Sequence, residues 1–550
     1  ICRTIPHRRL RKPIANRSGH GALRFCEVSA MQDDRPTHSP GQATRRLAKW
    51  QGGLQLECRR RMFGAVQLKI MTRVFVSIFL LVFSLLPLAE PATGGAPKKP
   101  NIVIVVADDL GWADVGYHSD RIPTPHLDRI AREGVELDHF YVFPMCSPTR
   151  AGLMTGRYPI RFGMARAVIP PWRHFGLAPS EVTLPETLAR VGYQHRGVFG
   201  KWHLGHNDTK WHPNSQGFTH FHGHYNGAID YFDLTREGER DWHINERASG
   251  EQGYSTDLIA GAASRFIAQH AKGAAPYLCY VPFNAPHSPF QAPEKYLKKF
   301  AHLAEGKAGG KNRNLRQKVA AMVSCMDDGI GQILRAIDDS GKADDTLVWF
   351  FSDNGGVSAI ADNNLPLRGN KLDVWEGGVR VPAAIRWPGG GIVGGKVSVP
   401  LSCIDVLPTL AKLTVGESSS GLGNKPFDGR DVLDVLQAKR RRLDRELYFY
   451  HGQAGEEREK IAIRTAKWKL IINGPNIAGG EWQTAKHERF LFRIDRDPNE
   501  TTDLLLSHSE VADRLAGKLV AHRKLQPPGG VGVYNAGRKN FKAPADWVIR

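Results

Sequence analysis

Asp108 and Asp109 directly follow a β-branched apolar run, Asn101–Val106. Adjacent carboxylates at one strand end repel each other unless a positive charge holds them. Asp353-Asn354-Gly355-Gly356 stands in the same position after a second run, Thr346–Phe351. In open α/β sheets, ligands collect at the carboxyl ends of strands. Two strand ends therefore bring three carboxylates and an amide oxygen toward one point. An all-oxygen set suits a hard cation, Ca²⁺ or Mg²⁺, rather than zinc. Asp and Asn-Gly are also common turn residues, and either motif alone would read as a turn. The matched positions favour a metal site.

Cys146-Ser147-Pro148-Thr149-Arg150 is the sharpest motif in the chain. Pro148 suits a first helical turn, and Ala151-Gly152-Leu153-Met154 continues it. Cys146 then lies at a helix N-terminus, where the dipole favours negative charge, with Arg150 four residues on along the same face. A buried structural Cys and a surface Arg would be the plain alternative. In Gly200-Lys201-Trp202-His203-Leu204-Gly205, extended backbone puts Lys201 and His203 on one face and Trp202 on the other. An ammonium and an imidazole there can clamp an anion and move a proton. His287, in Asn284-Ala285-Pro286-His287-Ser288-Pro289, follows another strand-like run, Tyr277–Phe283.

The pentapeptide at 146–150 and its extension through Gly156-Arg157-Tyr158-Pro159 resemble the C-x-P-x-R signature of the type I sulfatases. Thr149 stands where many members carry Ser. Lys201-Trp202-His203 resembles the family's Lys-x-His motif, and the His287 segment and Arg368-Gly369-Asn370-Lys371 match further family segments. The resemblance runs from about Asn101 to Leu525. It implies that a separate formylglycine-generating enzyme oxidises Cys146 to formylglycine (3-oxoalanine). One hydroxyl of the hydrated aldehyde would attack sulfur, and the other would expel sulfate, so that one hard displacement becomes two easier ones. By the same resemblance, Asp108, Asp109, Asp353, Asn354 and residue 146 ligate Ca²⁺. Lys201 and Lys371 bind sulfate, Arg150 supports the cationic site, His203 serves the elimination step and His287 protonates the leaving oxygen. Glu376 and Arg380 read as structural.

The elements that must position these groups follow from periodicity. Helices are expected at Thr124–Gly134, Leu184–Gly192, Thr256–His270 and Leu315–Ile337, alternating with buried strands that include Gln194–Lys201. That alternation predicts an α/β fold with a large, mostly parallel central sheet flanked by helices. The resemblance makes it an alkaline-phosphatase-like sulfatase fold. The expected divisions are a catalytic domain over 97–424 and a smaller C-terminal α+β subdomain and tail over 425–550. Short strands are read at Glu446–His451, Ile461–Arg464, Trp468–Ile472 and Leu491–Ile494, and a closing helix at Glu510–Leu525.

Residues 71–92 read as a secretory signal peptide: Arg73, an apolar run Val74–Leu86, then Pro87-Leu88-Ala89. The run is short for a membrane span, so no stable span is expected in the mature protein. Residues 1–70 read as translated upstream sequence or a disordered extension, with the true start at Met71 or Met62. The chain has a net charge of +20, but residues 1–73 alone hold 16 Lys and Arg against 4 Asp and Glu. The remaining mild surplus suits an anionic substrate, and no nucleic-acid motif accompanies it. Seven cysteines, four of them scattered beyond residue 73, give no disulfide framework and no CxxC zinc pair. Export to a periplasmic, extracellular or lysosome-like compartment follows.

Segments Gly217–Phe221 and Asn363–Arg368 look most like arylsulfatase B and other N-acetylgalactosamine sulfatases. The implied substrate is a sulfated glycan or aryl sulfate. The His-rich loop 212–224 with Tyr225, Tyr231 and Trp242 is a candidate sugar pocket, though those aromatics read equally well as core. Two other functions stay open: a phosphodiesterase or phosphonate monoester hydrolase of the same superfamily, and an inactive glycan-binding homologue.

Overall fold

The computed structural model describes residues 99–304, 314–416, 425–480, 484 and 486–549. The expected leader at 71–92 and the segment before it lie outside the described residues. Gly95–Arg550 forms one compact unit.

Its centre is a ten-stranded sheet. In chain order the strands are β1 Asn101–Ala107, β2 Val135–Leu137, β3 His195–Lys201, β4 His220–His224, β5 His243–Ile244, β6 Arg247–Ala248, β7 Tyr277–Pro282, β8 Thr346–Ser352, β9 Ala383–Arg386 and β10 Lys396–Val397. They lie in the order β10-β2-β9-β8-β1-β7-β3-β4-β5-β6. The five middle strands, β8 to β4, are mutually parallel, and the β8–β9, β9–β2, β4–β5 and β5–β6 pairs are antiparallel. The mostly parallel expectation therefore describes the middle of a mixed sheet.

Side chains alternate across the sheet and are buried on both faces, as an unbroken apolar run requires. Ile102, Ile104 and Val106 pack on one side with Leu153 and Met154 of α2 (Cys146–Thr155), Leu184 and Leu188 of α3 (Leu184–Ala189) and Leu407 of α6 (Val406–Val415). Val103, Val105 and Ala107 pack on the other with α1 (Pro125–Glu133), α4 (Ser255–His270) and α5 (Leu315–Asp339). The Thr124, Leu184, Thr256 and Leu315 helices thus form within a few residues of their expected bounds.

A second, four-stranded antiparallel sheet follows: β11 Leu447–His451, β12 Glu459–Arg464, β13 Lys469–Gly474 and β14 Glu488–Phe492, covered by α7 (Ser509–Arg523). One face, with Ile461, Ile463, Leu470 and Ile472, joins the core beneath the large sheet. The other, with Phe449, Ala462, Ile471 and Phe492, packs on Val374, Trp375 and Val379.

That contact is tied by charge. The Lys469 ammonium is fully buried between Glu376 (2.8 Å) and Glu500 (2.9 Å). Burial raises Glu376, but Lys469, Arg380 and Arg464 outweigh it and hold the carboxyl down at about 2. Burial raises Glu500 to about 7, and Lys469 opposes this only in part. A carboxyl whose folded value lies above its unfolded one stabilises the fold most below the unfolded value. The Glu500 contribution is therefore lost as pH climbs from about 4.5 through 7. We expect Glu500→Gln to remove this decline, so that its urea midpoint falls less between pH 5 and 8 than that of the wild type. Parallel declines would contradict it.

Candidate active site

The carboxyl ends of β1 and β8 are adjacent, and their loops interlock. The Asp109 N–H donates to Asp353 Oδ1 (3.3 Å), and Asn354 Nδ2 donates to Asp109 Oδ1 (2.7 Å). Asp109 itself adopts a left-handed backbone, φ 68°. Such a conformation is uncommon outside glycine, though Asp tolerates it.

Cys146 is the first residue of α2, as its motif predicts. Thr149 Oγ1 accepts the Phe143 N–H (3.0 Å) and fixes the approach to that helix. Cys146 Sγ lies 3.3 Å from His203 Nδ1. His203 Nε2 faces the Ile169 carbonyl at 3.0 Å. A carbonyl only accepts, so Nε2 carries the proton and Nδ1 presents a lone pair to residue 146. Burial, with Lys201 and Arg150 adding to it, holds the His203 ring well below its ordinary value and hence neutral. Gly227 lies against that ring, where a Cβ would come within 2.4 Å of Cε1.

β3 ends at Lys201, and His203 lies beyond it in a left-handed conformation, φ 58°. The expectation that both residues project from one face of an extended strand is thus corrected. Both still reach the site, Lys201 at Asp108 and His203 at residue 146. Trp202 turns away, as expected, to donate to the Trp211 carbonyl (2.8 Å).

The charges are closely set. Lys201 Nζ meets Asp108 Oδ2 at 2.5 Å. Arg150 donates to Asp353 Oδ2 through Nη2 (2.8 Å) and Nε (3.1 Å), and to the Lys201 carbonyl (2.9 Å). Its guanidinium is thus engaged by protein groups. Lys371 Nζ lies 2.6 Å from Asp109 Oδ1, and His287 Nε2 lies 3.6 Å from Asp109 Oδ2. Burial, then Lys371, pushes His287 down to about 3. Burial and Asp108 raise Asp353 to about 6, with Arg150 opposing. Burial likewise raises the Cys146 thiol.

Two buried oxygens, Asp108 Oδ1 and Asn354 Oδ1, have no hydrogen-bond partner. Orphaned buried acceptors demand an explanation, and an ion is one. Ligating atoms of Asp108, Cys146 and Asp353 lie within 4.8 Å of one another, as do those of Asp108, Asp109 and His287. The oxygen-rich donor set, with its two vacant acceptors, fits a hard divalent cation.

The family model described as Sulfatase matches residues 100–417. The chain belongs to the sulfatase family. It is a sulfuric ester hydrolase. It is 32% identical over 513 residues to N-acetylgalactosamine-6-sulfatase of Mus musculus, covering 84% of this chain and 94% of the relative. Arylsulfatase J of Mus musculus is 30% identical over 480 residues, with 80% and 78% covered. Among solved structures, that of Ps i-CgsB in complex with k-i-k-neocarrahexaose is 28% identical. It has a TM-score of 0.68 and covers 78% of this chain and 94% of its own. A phosphonate monoester hydrolase of Agrobacterium radiobacter, at 21% identity and TM-score 0.55, shares the fold.

The candidate site opens into a cleft of about 540 Å³ with Cys146, His203, His287 and Lys371 in its lining. Asp230, Arg236, Glu237, Gln453 and Tyr534 also line it, and sequence reasoning missed all five. No motif marks them, and Gln453 and Tyr534 come from beyond the large sheet. Tyr225, Tyr231 and Trp242, read as a possible sugar pocket, are instead buried core residues, each at most 1% exposed. Segment 212–224 is no open loop: it holds a short helical turn and β4. Glu376 and Arg380 are structural, in ion pairs with Lys469 and Asp138.

Proposed function

We propose that this sulfatase removes sulfate from a glycan of the N-acetylgalactosamine sulfate class, using formylglycine made from Cys146 and a bound Ca²⁺. The observation that carries the reading is the thiol of Cys146 beside the His203 lone pair, next to two carboxylate-rich strand ends with unpartnered oxygens. Asp108, Asp109, Asp353, Asn354 and residue 146 would hold the ion, which supplies Lewis-acid polarisation of a sulfate oxygen. A hydrated formylglycine supplies the nucleophilic hydroxyl.

The chain's own groups do the rest. His203 Nδ1 accepts a proton from residue 146. Lys201 and Lys371 hold the sulfate oxygens in place. Arg150 positions Asp353 and the end of β3. His287 gives a proton to the departing oxygen, and the negative charge of a bound sulfate ester opposes the lowering that burial and then Lys371 impose on it. A preorganised donor of this kind contributes about 3–4 kcal/mol to lowering the barrier.

The glycan assignment is supported by the relatives' names, one an N-acetylgalactosamine-6-sulfatase and another solved with an oligosaccharide. Export through the leader at 71–92 and maturation by a formylglycine-generating enzyme belong to the same reading. No helix among the described residues is long and apolar enough to cross a membrane. Side-by-side turnover of an aryl sulfate, sulfated oligosaccharides and a phosphate diester tests the proposal; preference for the diester would overturn it.

His287→Asn separates proton donation from binding. We expect it to slow sugar sulfates, whose alkoxide leaves poorly, by about 10²–10⁴-fold. Nitrophenyl-type sulfates, whose phenolate needs no proton, should slow far less. Equal losses on both would remove His287 from the role.

A further inference from the structure

One wall of the cleft is made by chain that no catalytic motif touches. Residues 527–549 run back across the large sheet's loops as a strap. The Val531 N–H donates to the Gly163 carbonyl (2.8 Å), and the Tyr534 N–H to Gln453 (3.2 Å). Trp172 Nε1 donates to the Tyr534 carbonyl (2.8 Å), and Arg173 reaches the Val533 (3.0 Å) and Ala536 (2.8 Å) carbonyls. These contacts fix the Tyr534 ring at the cleft, edge-on to Trp172 at 5.2 Å.

Further along, the strap grips the opposite lip. The two-stranded hairpin Thr235–Arg236 and Glu239–Arg240 carries Arg236 and Glu237 into the cleft lining. Trp547, 0% exposed, donates from Nε1 to the Arg236 carbonyl (2.9 Å), and the Asp546 N–H donates to Glu239 (3.2 Å). A single segment thus supplies one side of the outer cleft and anchors the other.

We propose that this outer space is a second subsite, which binds an uncharged sugar unit joined to the sulfated one. The inference rests on the glycan reading above. Tyr534 offers an apolar ring face and a hydroxyl, and Gln453 an amide, the groups that suit a sugar's alternating C–H and O–H surface. The outer rim carries two carboxylates, Asp230 and Glu237, against one guanidinium, Arg236. Arg236 lies 3.3 Å from Glu237, and Asp230 accepts from Gln291 (2.6 Å) and the Phe232 and Asp233 N–H groups. The cationic groups of the cleft that face an anion, Lys371 among them, sit at its floor. A second sulfate or a carboxylate at the rim would meet Asp230 and Glu237, and Arg236 there is already paired with Glu237.

The test compares purified full-length enzymes on an aryl sulfate, a sulfated monosaccharide and the disaccharide that adds an unsulfated sugar. Wild type should favour the disaccharide over the monosaccharide by about tenfold in kcat/KM. Trp547→Ala, which frees the hairpin, should raise KM for the disaccharide about tenfold while aryl sulfate turnover stays within about twofold. Tyr534→Ala, which leaves that anchor intact, should lower the disaccharide-to-aryl-sulfate ratio by a similar factor and decides the matter if the Trp547 variant misfolds. Unchanged ratios, or equal losses on all substrates in the Tyr534 variant, would overturn the subsite. Wild type that treats both sugars alike overturns it while the glycan reading stands. Wild type that cleaves the aryl sulfate but neither sugar overturns both.

Discussion

Cys146→Ala is expected to abolish sulfate ester hydrolysis, by about 10⁶-fold as for loss of a nucleophile in other hydrolases, while the fold persists. The reasoning is local. Residue 146 begins α2, where Ala is as acceptable as Cys, and the helix is held by Leu153 and Met154 in the core and by Thr149 at its approach. The change removes one sulfur atom and leaves His203 Nδ1 facing an empty position. The loss of stability should be about 1–2 kcal/mol. Cys146→Ser should fail as a catalyst too, because a single hydroxyl cannot both attack sulfur and expel sulfate. In wild type produced with the maturation enzyme, the peptide containing residue 146 should show the mass of an aldehyde rather than a thiol. Wild-type rates in Cys146→Ala, or an unmodified thiol in fully active enzyme, would end the formylglycine reading.

Removing divalent metal is the second large effect. Asp108, Asp109 and Asp353 are packed with three cations, yet Asp353 is still raised to about 6 and two oxygens stay unpartnered. A bound cation would satisfy both of those acceptors. A chelator should abolish turnover and lower the thermal midpoint, and Ca²⁺ should restore both more fully than Mg²⁺. At a hundredfold excess over its dissociation constant, the ion would stabilise the fold by about 2.7 kcal/mol. Asp353→Asn should erase this calcium-dependent shift, a readout that does not require an active enzyme. A midpoint indifferent to calcium in wild type would refute the metal site.

Much of this was readable from residue order. The β1 and β8 runs are apolar because both their faces are covered, so their ends, and the acidic residues there, could be located before any coordinates. The helix start at Cys146 follows from Pro148 and the dipole. What stayed hidden depends on neighbours distant in sequence. Nothing at 201–203 says that the strand stops at Lys201 and that His203 turns back to residue 146. Nothing near Arg150 names Asp353 as its partner, 203 positions later. Tyr225 and Trp242 could be rim or core by composition, and only packing against the sheet decides for core. The strap was invisible because its anchors are backbone carbonyls, which every residue possesses.

The depth of Cys146 also sets an order of events during synthesis. It is 2% exposed, at the inner end of the cleft, so another protein's active centre reaches it far more readily before β1 and β8 close around the site. Some 200 residues separate it from the end of β8 at Ser352. At ordinary ribosomal speeds that stretch takes roughly 10–40 s to make. Any enzyme that oxidises this thiol therefore works against a clock started by the ribosome, and a chain that closes early is a poorer target for it.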